Sequence, residues 1–314
     1  MRLLYISLLT FVFVASAALA LTGSFSLPPK KEASHSQKNF VPLPVISKSS
    51  TFPIVSAQAA LVIDMDSQVT LYEKNPDSPL LPASTTKIVT ALVAMEYYPN
   101  DLILKVGDVK VEGQKMGLIK GEEITAENLL YGLLVYSAND AAEVLAQNFP
   151  GGRDLFIAAM NIKAKELSLT HSKFYNPTGL DGNGHVSTAR DLIRVSEIAM
   201  RDPMFAKIVG TKQKVVKSTN GKIAHSLRNI NELLGKVDGV LGVKTGWTEN
   251  ARENLITYLE RDNKRIMIAL LGSQDRFGET EELINWIFAS YTWQEVSPPS
   301  TLRSIGKLLQ ANKP

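Results

Sequence analysis

The chain has 314 residues, of which 45% are hydrophobic and 21% are charged, and its formal net charge is +3. This composition excludes a disordered or collagen-like chain, and the small, scattered positive charge argues against a nucleic-acid partner. Because the chain has no cysteine, disulfides, thiolate metal sites and cysteine nucleophiles are excluded. The four histidines form no HExxH motif or close pair, so we predict that the protein works without a metal or cofactor.

The first 30 residues predict a signal peptide or an N-terminal membrane anchor. Residues 3–29 carry no charge, and within them about 19 apolar residues are enough to cross a hydrocarbon core of ~30 Å. Small residues at 15–20 resemble A-x-A cleavage sites, so export is predicted and cleavage stays open. Residues 31–57 combine serine and proline without a helical period, which predicts a flexible linker.

The folded domain is predicted over residues 58–293, with a short tail at 294–314. It begins with a hairpin around a polar turn, and an apolar helix follows Ser84. Helical segments and polar loops then alternate from about 100 to 235. Three adjacent antiparallel strands and a final helix close the domain. Strands at both ends with helices between them predict a sheet whose strands come from distant parts of the chain, an α/β fold of the α+β type.

Three short motifs carry the predicted chemistry: S-T-T-K at 84–87, S-A-N at 137–139 and K-T-G at 244–246. Each is weakly specific alone, since S-I-G-K at 304–307 also matches S-x-x-K. Each also has a plain structural interpretation, as a helix cap for the first two and as an exposed strand lysine for the third. Their order and their predicted places, at a helix start, in a break between helices and on a strand, favour a joint catalytic site.

The chemistry of these side chains supports that site. Residues three apart share a helix face, so Lys87 can reach the hydroxyl of Ser84. An ammonium cannot take the serine proton, so Lys87 must be neutral, which requires burial or a second cation such as Lys244 to lower its pKa. Ser137 would relay the proton to the leaving amine. Asn139 would hold a substrate peptide carbonyl.

A tetrahedral oxyanion also needs donors that already point at it. We predict the backbone N–H of Ser84, at a helix start, and the backbone N–H of Trp247 for this role. Gly246 lets the strand approach a substrate closely because it has no side chain. Lys244 and the hydroxyl of Thr245 would bind a C-terminal carboxylate.

The order S-x-x-K, S-x-N, K-T-G resembles that of serine penicillin-recognising enzymes. From Gln58 to about Trp293 the chain resembles the low-molecular-mass penicillin-binding proteins, the serine D-Ala-D-Ala carboxypeptidases of peptidase family S11. The segments that carry the resemblance are LPASTTKIVTAL, GLIKGEEITAENLLYGLLVYSANDAAEVLA, FYNPTGLDGNGHVSTARDL and VKTGWTENARENLIT. The resemblance implies a β-lactamase/transpeptidase-like fold, an antiparallel sheet flanked by helices with an inserted helical lobe.

The resemblance also implies acyl-enzyme chemistry on peptidoglycan stem peptides ending in D-Ala-D-Ala, with β-lactams as covalent inhibitors. It makes Ser84 the acylated nucleophile, Lys87 the proton acceptor, Ser137 the relay and Lys244 the partner of the substrate carboxylate. The enzyme would then act at the outer face of the cytoplasmic membrane, anchored there or secreted.

Two residues depart from the family pattern. Arg252 stands where the family usually has glycine, and Ile230 stands where it often has threonine or arginine.

Three rival functions stay open. A DD-endopeptidase that cuts peptidoglycan cross-links would use the same motifs. A β-lactamase would need a further carboxylate, for which Glu166 is the candidate, but its place late in a helical pattern favours a structural role. An inactive wall-binding scaffold would not need all of the catalytic residues.

Overall fold

The structure is a computed structural model and describes residues 41–47 and 51–295. The predicted leader at 1–30 and most of the predicted tail lie outside the described residues. Within the described ranges, no helix combines the length and the apolar character that crossing a bilayer requires.

Eleven strands and seven α-helices make up this part of the chain. In chain order they are β1 (Leu43–Ile46), β2 (Ala59–Asp64), β3 (Thr70–Lys74), a 3-10 turn (Ala83–Thr86), α1 (Lys87–Tyr97), β4 (Ile103–Lys105), β5 (Glu123–Thr125), α2 (Ala126–Val135), α3 (Asn139–Gln147), α4 (Arg153–Glu166), α5 (Ala189–Met200), α6 (Pro203–Val209), β6 (Gln213–Lys217), β7 (Ala224–Arg228), β8 (Val240–Thr248), β9 (Arg252–Arg261), β10 (Lys264–Ser273), α7 (Arg276–Ser290) and β11 (Tyr291–Gln294).

The main sheet has five strands in the order β3-β2-β10-β9-β8, and every pairing in it is antiparallel. Its middle strands come from opposite ends of the domain, since β2 pairs with β10 from Ala59–Leu271 to Asp64–Ile266. The predicted sheet, with helices inserted between its first and last strands, is confirmed.

The sheet separates two apolar clusters because successive side chains of a strand point to opposite faces. Leu61 and Met267 belong to the cluster that contains the helices between β3 and β8. Val62 and Ile268 belong to the cluster formed with α7, which contributes Leu283 among others. Both faces of β10 are therefore buried, which explains its nearly continuous apolar run.

The predicted linker differs from the structure where it is described. β1 pairs antiparallel with β11, from Leu43–Gln294 to Ile46–Tyr291, and the side chains of Val55 and Ala57 are buried. Apolar residues among the serines and prolines supply this strand and these contacts, and a composition argument does not detect them. The proposed domain limits themselves stay a prediction.

Candidate active site

The three predicted motifs line one cleft of about 670 Å³. Ser84 lies in the 3-10 turn before α1, and the K-T-G segment lies on β8, the edge strand beside that turn. The strand approaches very closely, since a Cβ added to Gly246 would lie 3.0 Å from Ser84 N and 3.1 Å from Pro82 O. The lack of a side chain at Gly246 thus lets β8 approach the turn that carries Ser84, whereas its expected close approach to a substrate stays a prediction.

Ser84 is not a helix cap. No side chain caps the 3-10 turn or α1, whose N-cap residues are Pro82 and Thr86. The Ser84 hydroxyl instead lies 2.8 Å from Lys87 Nζ. The alternative interpretation of Ser84 as a helix cap is therefore wrong.

The Lys87 amine has three polar neighbours, all of them oxygen atoms, and a neutral amine can satisfy all three. Its Nζ lies 2.6 Å from Asn139 Oδ1, 2.6 Å from the carbonyl oxygen of Thr178 and 2.8 Å from Ser84 Oγ. The first two oxygens can only accept hydrogen bonds, whereas a hydroxyl can also donate. A neutral amine has two N–H groups and one lone pair. It would use both donors on the two acceptors and keep its lone pair for the Ser84 proton.

Burial lowers the pKa of Lys87 to about 7, against the opposing effect of the nearby Asp140 and Glu143 carboxylates. Its side chain is fully buried, and desolvation disfavours the charged form of an amine. Lys244, the second cation expected to lower the pKa of Lys87, is not among the causes of this shift. Burial first, then Lys87 and Arg276, hold the pKa of Lys244 well below its usual value.

Asn139 is the first residue of α3 and not its cap, which is Ala138. Its amide is oriented by two contacts, because Oδ1 accepts from Lys87 Nζ and Nδ2 donates to the carbonyl of Glu112 at 2.7 Å. The next residue, Asp140, accepts from the backbone N–H groups of residues 116–118. The S-A-N segment thus fixes the loop that forms one wall of the cleft. One Nδ2 hydrogen of Asn139 stays available for a substrate carbonyl.

Ser137 lies between α2 and α3 with φ +62°, in the left-handed region that non-glycine residues rarely adopt. Its hydroxyl accepts a hydrogen bond from Lys244 Nζ at 2.8 Å, and the same amine donates to the carbonyl of Thr245 at 2.9 Å. Lys244 is buried, which differs from the structural alternative of an exposed strand lysine. The two lysines therefore each contact one motif serine, Lys87 with Ser84 and Lys244 with Ser137.

Thr245 and Trp247 border the cleft in different ways. Thr245 is buried, and its hydroxyl has no hydrogen-bond partner among the described residues. Trp247 has an exposed side chain on the cleft wall. A buried hydroxyl without a partner costs free energy, so Thr245 is well suited to a ligand acceptor.

Three contributors to the site were not predicted from the sequence. Thr178 supplies the carbonyl that holds Lys87. Gly179, with φ +86°, packs on the Ser84 turn so closely that a Cβ there would lie 1.9 Å from Ala83 O. Arg276 lines the cleft and donates from Nη1 to the carbonyl of Gly246 at 2.9 Å. The N-P-T-G string at 176–179 was the available signal for the first two, since Asn176 Oδ1 accepts from the backbone N–H of both.

The structure also locates the three residues that were singled out in the sequence outside the motifs, Arg252, Ile230 and Glu166. Arg252 has φ +58°, which explains why glycine suits this position, and it does not line the cleft. Ile230 does line it. Glu166 is exposed at the end of α4 and pairs with Lys163 at 2.7 Å, away from the cleft-lining residues. In the described part of the chain, no group of three or more His, Asp or Glu side chains is placed to bind a metal ion.

The family model for D-alanyl-D-alanine carboxypeptidases, peptidase family S11, matches residues 46–275. The chain belongs to this family. The resemblance found in the sequence is thereby confirmed, and so is the assignment of the protein as a hydrolase of the serine DD-peptidase type.

Two curated relatives and one solved structure illustrate the match to the S11 family. D-alanyl-D-alanine carboxypeptidase DacB2 of Mycobacterium tuberculosis is 35% identical over 251 residues, which cover 77% of this chain and 85% of the relative. The D-alanyl-D-alanine endopeptidase of Pseudomonas aeruginosa is 30% identical, covering 91% and 89%. The crystal structure of the Streptomyces K15 DD-transpeptidase superimposes with a TM-score of 0.72 at 29% identity, covering 76% and 100%. The β-lactamase/transpeptidase-like fold is confirmed.

Proposed function

We propose that this S11 protein removes the terminal D-Ala from peptidoglycan stem peptides ending in D-Ala-D-Ala, through an acyl-enzyme on Ser84. One observation carries the assignment. The Lys87 amine is buried, has a pKa near neutrality, and donates to two acceptors while facing the Ser84 hydroxyl. That arrangement makes serine a nucleophile at neutral pH.

Acylation follows from these contacts. Ser84 Oγ attacks the carbonyl carbon of the penultimate D-Ala, and its proton passes to Lys87 Nζ. The oxyanion that forms is stabilised by the backbone N–H groups of Ser84 and Trp247. When the intermediate collapses, the C–N bond breaks and the Ser137 hydroxyl gives a proton to the leaving D-Ala amine. Ser137 is reprotonated through the lysines, and Lys87 then takes a proton from water in the hydrolysis of the ester.

The terminal carboxylate of the substrate would be bound at β8. The unpartnered Thr245 hydroxyl and the Lys244 amine, 2.8 Å from Ser137, lie next to the group that protonates the leaving amine. An anion there would also favour the charged form of Lys244, whose pKa is lowered by burial and by neighbouring cations. This arrangement supports selection for a free C-terminal carboxylate.

The cellular setting is part of the proposal. The N-terminal apolar segment at 1–30 supports export, followed by action on the cell wall at the outer face of the cytoplasmic membrane, with the segment as anchor or cleaved leader. β-Lactams would acylate Ser84 as analogues of the D-Ala-D-Ala substrate, which makes the protein a penicillin-binding protein that shapes the cell wall.

Cleavage of cross-links is the second candidate function. One relative is named D-alanyl-D-alanine endopeptidase and is 30% identical over 296 residues. The same acyl-enzyme serves both reactions, which differ only in the leaving group. A β-lactamase has less support, because Glu166 pairs with Lys163 outside the cleft, where it could not direct a water to the ester.

The deciding experiment measures D-Ala release from a peptide ending in D-Ala-D-Ala by the full chain in detergent. We expect Ser84→Ala to abolish both this release and covalent labelling by a fluorescent penicillin. Ser304→Ala, in the other S-x-x-K string, is the matched control and should behave as the unmodified protein. Labelling that persists in Ser84→Ala would refute the nucleophile. Release of no D-Ala by the unmodified protein would refute the carboxypeptidase activity.

A further inference from the structure

A second cavity, of about 700 Å³, adjoins the catalytic cleft. The two share Ile230 and Arg276 in their walls. Besides Arg276, three cationic side chains line this second cavity, and Glu232 is the single carboxylate there among the described residues. We call it the basic cavity, and its other three cations are Lys212, Arg228 and Lys236.

These three cations are exposed and have no carboxylate partner in the parts of the chain that the structure describes. Other arginines of this protein behave differently, since Arg153 pairs with Glu143 and Arg190 with Asp77. Like charges that share one cavity repel one another unless an anion joins them. Glu232 offsets only one of the four positive charges that line the basic cavity, which therefore keeps a positive field.

A second observation independently indicates a ligand. Asn231 lines the basic cavity and is only 5% exposed, yet its Nδ2 donor has no acceptor in the described structure. Arg276 Nε, at the junction of the two cavities, is also buried without an acceptor. A buried N–H without a partner destabilises the fold. Unpaired donors and unpaired cations in one place fit a ligand that carries several acceptor oxygens and negative charge.

The position of the basic cavity shows which part of a substrate would enter it. Tyr136, which lines it, directly precedes Ser137, the residue proposed to protonate the leaving amine. Arg276 connects the basic cavity to Gly246 on β8. Asn139, which is proposed to hold a carbonyl of the substrate peptide, lines the catalytic cleft and not the basic cavity. A ligand in the basic cavity is therefore continuous with the leaving group.

We propose that the basic cavity binds the carboxylates of an acidic peptide attached to the leaving amine, the second stem peptide of a cross-linked substrate. This inference rests on the proposed function, because it assumes cleavage at Ser84. A single D-Ala leaving group carries only the carboxylate already assigned to Lys244 and Thr245, so the basic cavity would add nothing to carboxypeptidase activity. It would selectively increase cleavage of cross-links.

The binding part of the test does not depend on catalysis. The full chain carrying Ser84→Ala is titrated with L-alanyl-γ-D-glutamyl-meso-diaminopimelic acid by calorimetry. The test variant adds Lys212→Gln, Arg228→Gln and Lys236→Gln. The matched control instead adds Lys105→Gln, Lys165→Gln and Lys222→Gln, three exposed lysines outside both cavities.

Each exposed ion pair is weak by itself, and the loss of all three cations should weaken binding about 10-fold relative to the control. The peptide with amidated carboxylates should bind test and control variants alike. Inorganic phosphate is a further arm, because tighter binding of phosphate than of the peptide would show a general anion site. Equal affinity of the test and control variants for the acidic peptide would overturn the proposal.

The catalytic part uses the active serine. With the three glutamines, kcat/KM for a cross-linked muropeptide dimer should fall about 10-fold, while release of D-Ala from a pentapeptide stays within about 2-fold of the control. A drop that is equal for both substrates would overturn the leaving-group assignment. If the unmodified protein cleaves neither substrate, the proposed function fails, and the titration still decides whether the basic cavity binds the acidic peptide.

Discussion

The surroundings of Lys87 at the catalytic serine and the basic cavity beside the cleft differ in how far their cationic side chains are exposed to solvent. Lys87 is fully buried, and the three oxygen atoms that contact its amine lie within 2.8 Å. In the basic cavity, Lys212 and Arg228 are exposed and without a described carboxylate partner. Burial suppresses the charge in the first region, whereas solvent preserves it in the second.

The comparison separates chemistry from selectivity. The buried Lys87 amine is proposed to accept the Ser84 proton whichever substrate is bound. A substitution of Lys87 should therefore slow the reaction with every substrate. An exposed group of cations acts through its summed field, so a change there alters only substrates that carry negative charge to it. Variants of Lys87 should therefore affect every substrate, and variants of the basic cavity only the acidic ones.

Lys87→Met should reduce the rate of acylation by a penicillin about 1,000-fold, because it removes the proton acceptor. The fold should persist, because the substitution removes a buried amine and nearly conserves volume. Thermal unfolding and single-turnover labelling are the measurements. Labelling at an unchanged rate would show that Lys87 is not the base.

The pH dependence of the unmodified protein tests the same residue. Only neutral Lys87 accepts a proton, and burial lowers its pKa to about 7. The acylation rate should therefore be constant at higher pH and fall about 10-fold per unit below pH 7. His171→Gln, at an exposed position in contact with Thr170, is the control and should leave this limb in place. A profile that is flat through the acid range would contradict the assignment.

Gly179→Ala should lower kcat/KM for D-Ala release about 100-fold. The new methyl group would meet Ala83 O at 1.9 Å, which displaces the turn that carries Ser84, and small misplacements of a nucleophile are costly. Gly182→Ala, in the same loop, is the control, because its Cβ would have no neighbour within 4 Å. Equal activity of the two variants would show that the turn tolerates the shift.

Thr245→Val tests the proposed binding site for the terminal carboxylate of the substrate. It removes a buried hydroxyl that has no described partner, so stability should not fall, whereas KM for the D-Ala-terminated peptide should rise about 10-fold. Thr257→Val is the matched control, since Thr257 Oγ1 is also buried and unpartnered but lies outside the cleft. A rise in KM for both variants would show a general effect on the sheet.

Arg252→Gly should have the smallest effect, a stabilisation of about 1 kcal/mol. It relieves left-handed strain at φ +58°, which costs about 1–3 kcal/mol, and it loses part of this to the larger entropy of the unfolded chain. The melting temperature should rise ~2–4 °C. Asn263→Gly, at φ +57°, should not raise it, because asparagine tolerates this conformation. D-Ala release should be unchanged in both variants.

Several parts of the site were predictable because they are local. Ser84 and Lys87 are three residues apart, and their contact at 2.8 Å follows from one turn of helix. The absence of a side chain at Gly246 could also be read from the sequence, although its contact with the Ser84 turn is visible only in the structure. The helices and strands around them could be located from apolar periodicity.

Other parts were missed because they join distant segments. β1 was predicted as linker, and it is a strand only because β11 lies beside it. Thr178 reaches Lys87 across a separation of 91 residues. The basic cavity combines a lysine before β6, an arginine at the end of β7 and a lysine before β8, none of which belongs to a motif.

The family, the fold class and the residues at which the chemistry is proposed could be predicted from the chain alone, because residue type, spacing and periodicity are local properties. The folded structure was needed to show how Lys87 is desolvated, that the Thr245 hydroxyl has no partner among the described residues, and that three scattered cations share a cavity. Burial and hydrogen-bond partners are provided by segments far away along the chain, and those two quantities control the pKa of an amine and the affinity of a site.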